Sequence, residues 1–128
     1  MKYLLDSDVI INHTRGIRKI DKKIISEGVA LSVISYGELI YGAHKSKYKQ
    51  KNLTQIRIFL NKLSVQMLNI DREIIGIFAE IKSSLELKGQ KLDDFDLLIG
   101  ATALVNSLTL KTENIKHFRR IPGLKLAS

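Results

Sequence analysis

Cysteine is absent from this 128-residue chain. Disulfides, zinc–thiolate sites and cysteine nucleophiles are thereby excluded. Acids are scarce too: 13 Asp and Glu stand against 21 Lys and Arg, giving a formal net charge of +8. No apolar run approaches the ~18 uninterrupted residues of a membrane helix, so no membrane association is expected. The opening MKYLLDSDVII is broken by Asp6 and Asp8, and no small-residue cleavage site follows. It is not read as a signal peptide, and a cytoplasmic protein is the expectation. Linkers, repeats and low-complexity segments are lacking. Residues 1–128 therefore read as a single domain, long enough for a real core. G-x-S-x-G, P-loop and G-x-G-x-x-G motifs are missing, so serine-hydrolase and nucleotide-cradle chemistry have no motif support.

What is present alternates between two periodicities. Lys2–Leu5 reads as a short buried strand, Val29–Val33 as a second and Val65–Leu68 as a third. Leu108–Leu110 and Leu124–Leu126 are candidate strands around Pro122-Gly123. Ser35 to about Ser46 reads as a helix, and Leu53, Ile56, Phe59, Leu60 and Leu63 recur at helical spacing. Asp71 is placed to cap a helix running to Gly89. Phe95–Val105 is apolar nearly all round, as a buried helix is. Strands alternating with helices predict an α/β fold with a mostly parallel sheet.

Ligands of such sheets bind beyond the carboxyl ends of the strands. The few acids fall there. Asp6 and Asp8 follow the first strand, Glu38 lies in the helix after the second, and Asp94 and Asp96 open the buried helix. Two carboxylates about 5 Å apart repel by roughly 3 kcal/mol at an effective dielectric near 20. Several together need protons or a cation. Hard oxygen ligands select magnesium or manganese, which can orient a water for attack on a phosphodiester. Each acid also has a structural role open to it. Asp6 or Asp8 could cap the next turn. Ser35-x-x-Glu38 is a capping-box pattern, and Asp93 reads mainly as a helix cap. An acid such as Asp94 or Asp96, opening a buried helix, needs a partner. His13, His44 and His117 are scattered and read as surface histidines.

The positive charge is clustered. No acid occurs between Leu39 and Ile70, where Lys45, Lys47, Lys49, Lys51, Arg57 and Lys62 lie. A second group holds Lys111, Lys116, Arg119, Arg120 and Lys125, against Glu113 alone. Such stripes suit a polyanion; a solvated surface is the plainer reading. Lys45, Lys47, Lys49, Lys51, Arg119 and Arg120 are the candidate nucleic-acid contacts. Tyr36, Tyr41 and Tyr48 interleave with the first stripe and could stack on bases or pack between helices.

Five blocks in order resemble the PIN-domain ribonucleases, specifically the VapC-type toxins of toxin–antitoxin pairs. They are KYLLDSDVIIN, SVISYGELIYGAHKS, NLTQIRIFLNKLSVQMLNID, DFDLLIGATAL and LKTENIKHFRRIPGLKL, and they span nearly the whole chain. The resemblance implies a PIN-like three-layer sandwich, its central sheet flanked by helices. It implies RNA cleavage dependent on Mg²⁺ or Mn²⁺, dimerisation, and a cognate VapB-type antitoxin that blocks the site. Asp6, Glu38 and Asp96 match the family's three acids, with Asp6 and Asp96 the pair expected to touch the metal. Asn114 matches the fourth position and Thr112 a hydroxyl residue beside it; Asp8 and Asp94 are possible auxiliaries. The chain departs from the pattern at several places. Asp8 stands where asparagine is usual, Asp93 for a glycine, Lys91 for a proline and Glu113 for an asparagine. His117 stands where an acid often precedes the phenylalanine. Two other readings compete. LLDSDVI resembles the opening of haloacid-dehalogenase-type phosphatases, with Asp6 as nucleophile. A PIN-like module that binds RNA or a partner without cutting is the other.

Overall fold

A computed structural model describes residues 1–128. Its sheet has four parallel strands: β1 (Tyr3–Leu5), β2 (Val29–Ser32), β3 (Gln66–Leu68) and β4 (Thr109–Lys111), in the order β3-β2-β1-β4. Seven helices surround it: α1 (Ser7–Thr14), α2 (Lys22–Ser26), α3 (Val33–Lys45), α4 (Lys49–Lys62), α5 (Arg72–Leu87), α6 (Asp94–Val105) and α7 (Ile115–Phe118). No helix is long and apolar enough to cross a membrane.

The strands are short, and the central ones are buried, as those of a parallel sheet between helices are, whereas the edge strand β3 is largely exposed. Successive side chains point opposite ways, and the register keeps each set together. Leu4 pairs with Ala30 and Leu110, and these three pack with Ile81 and Leu85 of α5 and Leu97, Ile99 and Ala103 of α6. Leu5 and Leu31 turn the other way, onto Val9, Ile10, Ile24, Leu39, Ala43, Ile56 and Phe59 of α1–α4. The result is the expected three-layer α/β/α sandwich. Burying each such side chain contributes ~1.5–3 kcal/mol.

Boundaries moved for local reasons. The first helix on the far side of β2 begins at Val33, because the Ser32 hydroxyl already accepts from the Ile34 amide at 3.1 Å. Ser35 is therefore inside the helix and its buried hydroxyl has no partner. Asp71 caps α5 as expected, through the Ile74 amide at 2.9 Å. Leu124–Leu126 does not form a strand; only Leu126 bridges to Leu110. Gly28 turns the chain into β2 with φ +94°, and a Cβ there would stand 2.8 Å from the Met1 Cα. At Gly100 of α6 a Cβ would meet the Ile121 Cδ1 at 2.5 Å, so α6 and the C-terminal segment pack without room for a methyl group.

Candidate functional site

The chain leaves β1 for β2 on one side, and β4 joins β1 on the other. The crevice between the carboxyl ends of β1 and β4 is thus where an open α/β sheet binds ligands. Asp6 sits in it. Its backbone N–H donates to the Lys111 carbonyl at 2.9 Å, extending the β1–β4 pairing by one residue. Its side chain is 6% exposed. Asp6 Oδ1 accepts from the Ser7 amide at 2.8 Å, capping α1, and Oδ2 accepts from Thr112 Oγ1 at 2.7 Å. Thr112, itself buried, accepts from the Asn114 amide at 3.0 Å. Its single proton is thereby aimed at Asp6, and its 3.5 Å approach to Asp8 Oδ2 is proximity rather than a second full bond. Burial pushes the Asp6 carboxyl up; the Thr112 and Ser7 hydrogen bonds oppose that, and Asp96 adds to it.

Three more acids close in. Asp8, in the first turn of α1, accepts from the Glu113 amide at 3.2 and 3.3 Å. Burial and then Asp6 push it up to about 6. Glu38 of α3 accepts from Ser7 Oγ at 3.1 Å. Burial, then Asp6, with Asp96 and Asp93 adding, push it up to about 7. Asp96, in the first turn of α6, is raised by burial, then by Asp93 and Asp8, while His117 opposes the shift. Ser7 therefore joins two of the acids, its amide on Asp6 and its hydroxyl on Glu38.

Some candidates lie elsewhere. Asp94 turns outward to Lys82, 2.9 Å away, and is exposed. It is removed from the group of acids because its neighbour on α5 is a free amine. Asp93 stands at the N-cap position of α6 but makes no capping hydrogen bond. Its charge instead bears on Glu38 and Asp96. The capping box at Glu38 does not form either, since Glu38 bonds to Ser7. Asn114 Nδ2 lies 2.9 Å from His117 Nδ1, which brings a histidine read as surface into the neighbourhood of Asp96. Lys45, Lys47, Lys49 and Lys51 line the α3–α4 turn and Arg119 is exposed beyond α7, whereas Arg120 Nη1 donates to the Lys91 carbonyl at 3.1 Å. Sequence reading missed Ser7, Asp93 and His117 as members of this neighbourhood. A hydroxyl residue directly after the first acid was the one usable signal.

No three His, Asp or Glu side chains stand at ligating range of a common point. The acids feel one another's charge without closing a cage. Magnesium keeps part of its water shell and needs only one or two carboxylates, so a closed cage is not required of its site. The donors near Asp6 are hard oxygens, and each acid's proton affinity is raised first by burial and then by acidic neighbours, the part that a cation would relieve.

The PIN domain family matches residues 3–124. The chain is 39% identical over 98 residues to ribonuclease VapC2 of Rickettsia felis, covering 77% of this chain and 72% of that one. It is 36% identical over 129 residues to ribonuclease VapC1 of Methanocaldococcus jannaschii, covering 98% and 86%. Among solved structures it matches a chain in the crystal structure of VapBC2 from Rickettsia felis bound to a DNA fragment from their promoter. The TM-score is 0.89 at 30% identity, over 99% of this chain and 98% of that one. The chain belongs to the PIN-domain family, and within it to the VapC ribonucleases.

Proposed function

We propose that the chain is an endoribonuclease that hydrolyses RNA phosphodiester bonds with Mg²⁺ or Mn²⁺, and that it is the toxin of a VapBC-type pair. The observation that carries this is the convergence of Asp6, Asp8, Glu38 and Asp96, from β1, α1, α3 and α6, within electrostatic reach of one another. On this reading Asp6 and Asp96 hold the cation. When bound, the cation polarises a phosphate oxygen and lowers the pKa of a water.

The other residues set those groups in place. The Thr112 hydroxyl and the Ser7 amide fix the Asp6 carboxylate from both sides. Ser7 Oγ holds Glu38 facing the same crevice. Glu38, held by Ser7 in the crevice and not assigned to the cation, is placed to take a proton from the attacking water. The water oxygen forms a bond to phosphorus as the bridging P–O bond breaks, and the leaving oxygen takes up a proton from solvent water. The basic stripes draw the RNA backbone toward the crevice. A VapB-type antitoxin completes the proposal, supported by the likeness to a chain of a VapBC2 complex; homodimerisation and a cytoplasmic setting are carried over from the family resemblance.

The test is cleavage of total RNA by the protein freed of partners. Asp6→Asn and Asp96→Asn should fold normally by circular dichroism and lose metal-dependent cleavage. Wild-type protein that cuts no RNA with either Mg²⁺ or Mn²⁺ sinks the enzymatic reading. Cleavage that survives in both variants sinks the site assignment.

A further inference from the structure

The outer side of the α3–α4 hairpin combines exposed tyrosines with lysines that have no acidic partner. Tyr41 and Tyr48 are 64% and 68% exposed, although a tyrosine ring gains by burial. Lys45 Nζ lies 5.2 Å from the centroid of the Tyr41 ring, and Lys51 Nζ 5.9 Å from that of Tyr48. Each ring has a cation over it and still keeps most of its surface open. The lysines are not neutralised: no acid occurs between Leu39 and Ile70, and every salt bridge in the molecule uses other residues.

This surface leads to the acids. Tyr41 is three residues beyond Glu38 on α3 and Lys45 is seven beyond, so the three share one side of the helix. Along the axis they stand about 4.5 and 10 Å from Glu38. Helical side chains lean toward the N-terminus, which tips Tyr41 toward Glu38. Tyr48 follows in the turn into α4. A protein-docking patch would be depleted of lysine at its centre. Exposed rings paired with free cations are what single-stranded nucleic acid needs, since bases stack on the rings while phosphates meet the cations. A duplex keeps its bases stacked on one another and offers none to the rings.

We propose that this side of the hairpin guides a single-stranded segment of RNA into the acidic crevice. One base stacks on Tyr41 and another on Tyr48, with Lys45 and Lys51 against the neighbouring phosphates. The inference deepens the ribonuclease reading and rests on it.

The test separates binding from cutting. Full-length protein freed of partners is titrated in EDTA with a fluorescein-labelled single-stranded RNA of about ten nucleotides, and with the same RNA as a duplex. The single strand should bind more tightly. Tyr41→Ala and Tyr48→Ala should each weaken it about 5- to 100-fold, and Tyr41→Phe by less than about twofold. Lys45→Gln should flatten the dependence of log Kd on log salt by roughly one phosphate contact. Single-strand affinity unchanged in both alanine variants overturns the inference. So does an alanine variant that binds RNA normally but loses self-association or antitoxin affinity, because that gives the surface to a protein. Wild-type cleavage with Mn²⁺ is assayed alongside. Cleavage accompanied by unaltered binding in the alanine variants removes the RNA track and leaves the ribonuclease reading standing. Absence of cleavage removes the ribonuclease reading and the inference that rests on it.

Discussion

Replacing Glu38 by glutamine removes a charge and keeps a shape. The Glu38 side chain has one hydrogen bond, from Ser7 Oγ at 3.1 Å, and an amide oxygen accepts it equally well. The difference between the two residues is therefore electrostatic. Burial, followed by Asp6, Asp96 and Asp93, moves the Glu38 carboxyl from its ordinary 4.5 to about 7. A carboxyl raised in the folded state binds its proton more tightly there than in the unfolded chain. Its stabilising contribution is fully present below 4.5 and is lost as the pH rises through about 7. At ~1.4 kcal/mol per pH unit the whole span would amount to ~3 kcal/mol. Glu38 is only half-buried, and solvent screening reduces this to ~1–2 kcal/mol.

Metal-free Glu38→Gln should therefore be ~1–2 kcal/mol more stable than wild type at about pH 8, and equal to it at about pH 4. Urea unfolding in EDTA at both pH values measures this, with unchanged m-values showing that the same surface is exposed. The same substitution should abolish RNA cleavage, so the residue that weakens the empty protein is the one the reaction needs. A variant less stable than wild type at pH 8 would mean that Glu38 holds the fold together. An equal gain at both pH values would mean a packing effect. Either result refutes the electrostatic account.

Thr112→Val should destabilise the protein by ~1–3 kcal/mol, because a buried Asp6 oxygen and the Asn114 amide both lose their partner; Thr112→Ser should restore most of that stability in the same unfolding assay. Added Mg²⁺ or Mn²⁺ should raise the melting temperature of wild type at pH 8, by up to ~2.7 kcal/mol of stabilisation at a hundredfold excess over Kd. Asp6→Asn and Asp96→Asn should lose that rise, and a rise kept by both would place the cation elsewhere.

The fold was readable wherever one segment carried its own signal. The apolar run of α6 and the Asp71 cap of α5 are local, and both elements formed as expected. Asp-Val-Ile-Ile after β1 carries no helix signal of its own, since β-branched residues lower helix propensity. The cap from Asp6 and the burial of Val9 and Ile10 make α1 a helix nonetheless. The site was legible in its acids, which the strand ends expose to view. What holds them was legible only in part: the resemblance marked Thr112 beside the site but gave Ser7 no role. Thr112 reaches Asp6 from 106 residues away and Ser7 reaches Glu38 from 31, and no periodicity records such pairings. Asp93 was hidden for another reason: it occupies a cap position, and sequence alone does not tell whether the side chain bonds back to the helix.

Three of the chain's departures from the family pattern meet at Asp96. Asp93, where glycine is usual, and Asp8, where asparagine is usual, raise the proton affinity of Asp96, and His117, where an acid is common, lowers it. Carboxylates are gained before α6 and on α1, and one is given up on α7. The Asp8 carboxylate lies within the crevice, on the Glu113 amide and beside Thr112. The lost one clears the rim: after Glu113 no acid follows, and Lys116, His117, Arg119 and Arg120 stand together. For a ribonuclease the two places are not equivalent. On the proposed reading a carboxylate inside the crevice would be offset by the cation, whereas one on the rim would repel each phosphate that approaches. Acids placed in the crevice, with none after Glu113, thus separate an acidic crevice that suits a cation from a basic rim that suits the RNA backbone.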